Sequence, residues 1–181
     1  MNLSNLRFLL IFLLGFGLLG CGSSSKERYD AAFSEATKTS DQQIKVMNEW
    51  AREFGQVFTE QNRAQFPSNR DWFNSRAQKI ISLIDESSRL GNQATEKYEE
   101  AGRLMSRDQD RRGTALIVAS FRKGTEIEQL FKAQAQLASD QTITDAKTFN
   151  EKFASLNEQI RQKQKEKDDQ FAAGKRLMTT Q

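Results

Sequence analysis

Histidine is absent from this chain, and cysteine and proline each occur once. Without histidine there is no Ser-His or Cys-His dyad, no His-ligated metal site and no Glu-x-x-His centre of the di-iron bundle kind. The lone cysteine rules out an internal disulfide and a CxxC redox pair. No glycine-rich phosphate loop or nucleophile elbow is present. An excess of one charge is lacking as well, since 27 Lys and Arg face 24 Asp and Glu, and a net charge of +3 is too small to gather nucleic acid. The paired acids Asp85-Glu86, Glu99-Glu100 and Asp168-Asp169 fall on the outward faces of helical stripes, where such pairs serve solvation and i,i+4 support. The expectation is therefore a protein that is not an enzyme, with no cofactor, no metal and no nucleic-acid partner.

What is present begins with an apolar run, residues 8–20, which carries no charge between Arg7 and Cys21. As a helix it would span about 20 Å, short of the roughly 20 residues a membrane crossing needs, and it reads as a secretory signal. Leu18-Leu19-Gly20-Cys21 resembles the lipobox of bacterial lipoproteins, and the match covers those four residues and the apolar run before them. The resemblance implies that residues 1–20 are cleaved as a signal peptide and that the Cys21 thiol receives a diacylglyceryl group. It also explains the unpaired cysteine, because a free thiol in an oxidising compartment is a liability and two or three acyl chains give stable anchoring. Residues 21–26 then form the lipidated cysteine and a flexible Gly-Ser tether, and residues 27–181 form the folded domain. By the same resemblance, Gly22 in place of Asp favours an outer-membrane anchor facing the periplasm.

Ten glycines and one proline in 181 residues leave few breaks, which points to long helices joined by short turns. Side-chain caps are expected at Ser40, Ser68 and Ser106, with a weaker one at Thr144-Asp145. Phe66-Pro67 stops one helix, and residues 139–142 supply turn chemistry before another. Along the second helix, Phe73, Ala77, Ile80, Ile84, Ser87, Gly91, Ala94, Tyr98, Ala101 and Met105 step by four and three without a slip. The third helix repeats the pattern from Ile117 to Ala138, the fourth from Ala146 to Ile160, and the first from Ile44 to Phe58. Short turns make neighbours antiparallel. The expected fold is all-α, an elongated up-down-up-down four-helix bundle of helices of roughly 30 to 40 residues, about 45–60 Å long. Residues 26–38 either extend the first helix or form an extra short one broken at Thr39-Ser40.

Folding the second and third helices about Arg107 puts Gly91 and Gly124 at one level, which suggests a close helix contact there. Trp50, Phe54, Phe58, Phe66, Trp72, Phe73, Phe131, Phe149 and Phe153 should collect in the half away from the lipid. In the other half, residues 161–170 carry no apolar group, so that stretch is expected to leave the bundle as a solvated helix. The alternative is a partner groove in that half, where Ile117, Val118 and Phe121 are under-covered, with Lys163 and Lys167 beside them. Arg111-Arg112 with Arg107 and Lys26 is a basic cluster near the lipid end, suited to anionic head groups.

The functional expectation is a lipid-anchored protein of the cell envelope that acts by binding, an accessory subunit or a spacer with an envelope protein as partner. The rival is a periplasmic ligand- or toxin-binding lipoprotein of the immunity or exclusion kind. A cavity of roughly 300 Å³ or more would favour the rival.

Overall fold

The computed structural model describes residues 23–179, which form an all-α bundle with no strand among them. Four long helices make it: α1 is Ser23–Val57, α3 is Arg70–Arg103, α4 is Asp108–Gln136 and α5 is Ala146–Thr179. A five-residue helix, α2, covers Glu60–Ala64, and a 3₁₀ turn, Leu137–Ser139, extends α4. At 35, 34, 29 and 34 residues the long helices measure about 45–50 Å. Cross-helix pairs run in opposite directions at every step: Glu53 with Lys79 and Glu35 with Lys97, then Glu99 with Arg122 and Asp85 with Lys132, then Lys123 with Glu166 and Glu126 with Lys163. The topology is up-down-up-down.

The first helix does not break at Thr39-Ser40. Thr37 donates its hydroxyl to the Phe33 carbonyl and Thr39 donates to that of Glu35, so both bond back into their own helix and offer no cap. Residues 26–40 thus continue α1, and Ser23, Ser24 and Ser25 of the expected tether lie in its first turn. Nor do the serines at 68 and 106 cap. α3 follows Asn69 and α4 follows Arg107, neither with a side-chain cap, and α4 instead carries Asp108 and Asp110 in its first turn, where the helix dipole favours negative charge. The weakest signal is the real cap. Asp145 accepts from the Thr148 amide at 2.8 Å and from its hydroxyl at 2.9 Å, opening α5.

The main core holds Trp50, Phe54, Phe58, Phe66, Phe73, Phe149 and Phe153, with Phe131 packed against it, all at the end formed by the α1–α3 and α4–α5 connections. Ring contacts link the elements: Phe54 to Phe131 at 5.2 Å, Phe58 to Phe73 at 5.4 Å and Phe66 to Phe149 at 4.5 Å. Trp72 is the exception to the expected set. It sits outside the core, 42% exposed, and touches only the edge of Phe73 among these rings. Two arginines fasten the connections together. Arg63 lies over the Phe153 ring and donates to Asn150, while Arg70 lies over Phe66 and donates to the carbonyls of Asp140 and Ile143. At the opposite end a smaller cluster joins Ala36, Ala94, Tyr98 and Val118, with Phe33 and Phe121 against it.

Candidate functional site

The expected groove is closed. Ile117 is 6% and Val118 3% exposed, and Phe121 is half-buried with its ring 5.4 Å from Tyr98. What covers Ile117 is α5 itself, which stays on α4 to its end. Gly174 makes this possible: a Cβ there would stand 2.8 Å from Ile117 Cγ1 and 2.6 Å from the Gly113 carbonyl oxygen, so only a bare backbone fits. Three residues on, the Gln109 side-chain amide donates to the Leu177 carbonyl at 2.6 Å. The polar stretch of residues 161–170 lies between two close contacts, buried Ile160 and Gly174, and carries ion pairs to α4 in place of apolar ones. Lys163 pairs with Glu126, and Lys123 reaches Glu166 at 3.1 Å. Lys163 therefore bridges helices on the outside of the bundle. Lys167 is half-buried, and burial lowers its pKa below the usual lysine range, with Asp168 and Glu128 pulling the other way.

The expected pairing of Gly91 with Gly124 is corrected in the same way. Their level is right, since Ser87 meets Glu128 and Gly102 meets Thr114 across the same two helices. Their facing is not. Gly91 turns toward α1, where a Cβ would meet the Gln43 amide nitrogen at 2.5 Å, and Gly124 has only Lys167 Cε within reach, at 3.9 Å.

Between the two hydrophobic clusters lies a buried polar layer that sequence reasoning missed. Glu128 is 3% exposed and accepts hydrogen bonds from Ser87 Oγ at 2.5 Å and Ser88 Oγ at 2.9 Å. Gln129 in turn donates to Ser88 at 3.0 Å. Burial raises the Glu128 pKa above the ordinary carboxylate value, while Ser87, Ser88, Gln43 and Trp50 oppose the rise. Gly91 leaves the space that the Gln43 side chain occupies beside this layer. The legible hint was Ser87 itself, a hydroxyl on an otherwise apolar seam, which needs a polar partner when buried.

Cys21 lies outside the described residues. Among the described residues no helix is long and apolar enough to cross a membrane, and no group of three His, Cys, Asp or Glu residues is placed to hold a metal ion. A concavity of about 300 Å³ does exist, not under α5 but on the other flank of α4, between it and α3. No family model, curated protein or solved structure matches the chain.

Proposed function

We propose that this chain is a lipid-anchored protein of the cell envelope that acts by binding, as an accessory subunit of an envelope assembly or a spacer standing off a membrane. The observation that carries the reading is the place of Cys21. It is the chain's one cysteine, it closes the apolar run, and it stands two residues before a helix of 35 residues. With diacylglyceryl on Cys21, α1 runs about 50 Å outward before the chain first turns, and the aromatic core sits at the far end. Gly22 favours the outer membrane as the anchoring surface. No catalytic residue is part of this reading.

The anchor is tested with Cys21→Ser. The variant should leave the membrane fraction or persist as unprocessed precursor; a cleaved, still membrane-bound variant would overturn the anchor. The binding role is tested by crosslinking the membrane-held protein in intact cells, which should yield one dominant envelope partner attached through the far end or a long face.

The rival reading, a ligand-binding lipoprotein, is favoured by one observation, the concavity between α3 and α4, whose volume meets the lower limit for a small-molecule site.

A further inference from the structure

The concavity between α3 and α4 owes its shape to an unusual run of small residues beneath long ones. Gly102 on α3 and Ala115 and Ala119 on α4 leave the floor low, and Gly102 lets Thr114 approach so closely that a Cβ would meet its Cγ2 at 2.8 Å. Val118 adds an apolar base. The rim is the opposite in character, with three guanidinium groups, Arg103, Arg111 and Arg122, against one carboxylate, Glu99. Arg122 closes one end by pairing with Glu99 at 2.5 Å. Arg111 stands at the other end, 3.3 Å from Asp108, a carboxylate that Arg112 also engages at 2.9 Å. Arg103 has no ion-pair partner among the described residues, and it lines the cleft. An apolar floor under a rim of excess positive charge matches an anionic amphiphile, not a bare ion and not a neutral lipid.

The position of the cleft narrows the choice. Phe33 of α1 packs on Tyr98 of α3 at 5.7 Å, so Ser23, ten residues earlier and about 15 Å further along the axis, is level with the α3–α4 turn. Arg103 ends α3 and Arg111 lies in the first turn of α4, so both flank that turn. The cleft therefore opens at the end of the bundle where α1 starts.

We propose that this cleft binds one anionic phospholipid, its phosphodiester held by Arg103 and Arg111 and its glycerol and first methylenes laid against Ala115, Val118 and Ala119. The proposal rests on the lipid-anchor reading only for the source of the ligand, the membrane at the chain's own anchored end. Ala115, Val118 and Ala119 lie further from the anchored end than Arg103 and Arg111, so a phospholipid held this way has been drawn out of the bilayer, its acyl chains directed along α4.

The test is native mass spectrometry of the full chain, expressed in a bacterial envelope and released in non-ionic detergent micelles doped with phosphatidylglycerol and phosphatidylcholine in equal amount. Phosphatidylglycerol should be retained in preference. Arg103→Gln with Arg111→Gln should cut its retention by about fivefold per arginine. Ala115→Trp, which keeps every charge and fills the floor at an exposed position, should cut it as well. Arg161→Gln with Lys165→Gln, the same charge change on the exposed side of α5, should leave retention unaltered. Equal loss in that control, equal retention of phosphatidylcholine, or displacement of the lipid by millimolar inorganic phosphate would each overturn the proposal. The same spectra weigh the chain itself. A chain that starts before Cys21 or lacks acyl groups, yet still retains phosphatidylglycerol, overturns the anchor reading and leaves the cleft standing.

Discussion

Gly174 of α5 lies against Gly113 of α4, each glycine facing the other's carbonyl oxygen, with Ile117 Cγ1 seated on Gly174 and Met178 on Gly113. This contact is what brings the end of α5 home after ten residues without an apolar side chain. Substituting Gly174→Ala should lower the melting temperature, because overpacking against backbone costs about 1–3 kcal/mol and outweighs the roughly 1 kcal/mol that alanine gains over glycine in a helix. Gly124→Ala should raise it, since a Cβ there meets nothing nearer than 3.9 Å. Thermal unfolding of the two variants side by side reads the difference, and a higher melting temperature for both would contradict the close contact.

Burying Glu128 without a full ion pair has a consequence for pH. A folded pKa raised above the unfolded one means that the protonated carboxyl is the favoured form inside. Its stabilising contribution is whole below about pH 4.5, the ordinary value, and is lost as pH rises through the elevated value. Glu128→Gln keeps much of the hydrogen bonding and cannot ionise. Its stability relative to the natural chain should therefore be lowest in acid and climb as pH increases, as measured by melting temperature across the range. A difference independent of pH would show that Glu128 carries no such penalty.

The two halves of the Trp72–Phe73 pair should respond very differently to truncation. Phe73 is fully buried among Phe58, Phe66 and Phe149, so Phe73→Ala should cost about 3–5 kcal/mol by denaturant unfolding. Trp72→Ala removes a ring that is 42% exposed and lies outside the core, and should cost much less, about 1 kcal/mol.

Amide exchange should be slow through residues 161–175, in contrast to a helix that leaves the bundle. The exposed ion pairs Lys163–Glu126 and Lys123–Glu166 supply little of this, each worth about 0–1 kcal/mol. Buried Ile160 at one side and Gly174 at the other clamp the stretch between them. Lys163→Ala should leave the protection nearly intact, and Gly174→Leu should abolish it from about residue 165 onward.

The one-dimensional pattern was readable wherever a single helix decided the answer. Every seam residue of α3 from Phe73 to Ala101 is buried, because a four-three step defines an inward stripe whatever lies opposite. What the stripe does not say is which neighbour each residue meets. In a four-helix bundle the inward arc has two flanks, so Gly91 and Gly124 share a level and still face different helices. The Gly113–Gly174 contact depends on the α4–α5 register over sixty residues, and the polar run before Gly174 concealed it. Helix starts failed for a local reason. The Thr37 and Thr39 hydroxyls find carbonyls within their own helix, an alternative that sequence alone does not distinguish from capping. The cleft between α3 and α4 was the least legible part, since it is made by what Gly102, Ala115 and Ala119 lack.

With four antiparallel long helices, the start of α1 and the end of α5 lie at the same end of the bundle as the α3–α4 turn. Mechanically this is a lap joint. Tension entering at residue 23 and leaving through a partner on the aromatic end loads α1 in shear along α3. Its cross-links, Glu35–Lys97 near one end and Glu53–Lys79 near the other, then share the force at once instead of opening one after another. Tension applied between residue 23 and residue 179 would instead peel the helices apart from a single edge. The same bundle is stiff when pulled lengthwise and weak when its two ends of chain are drawn apart.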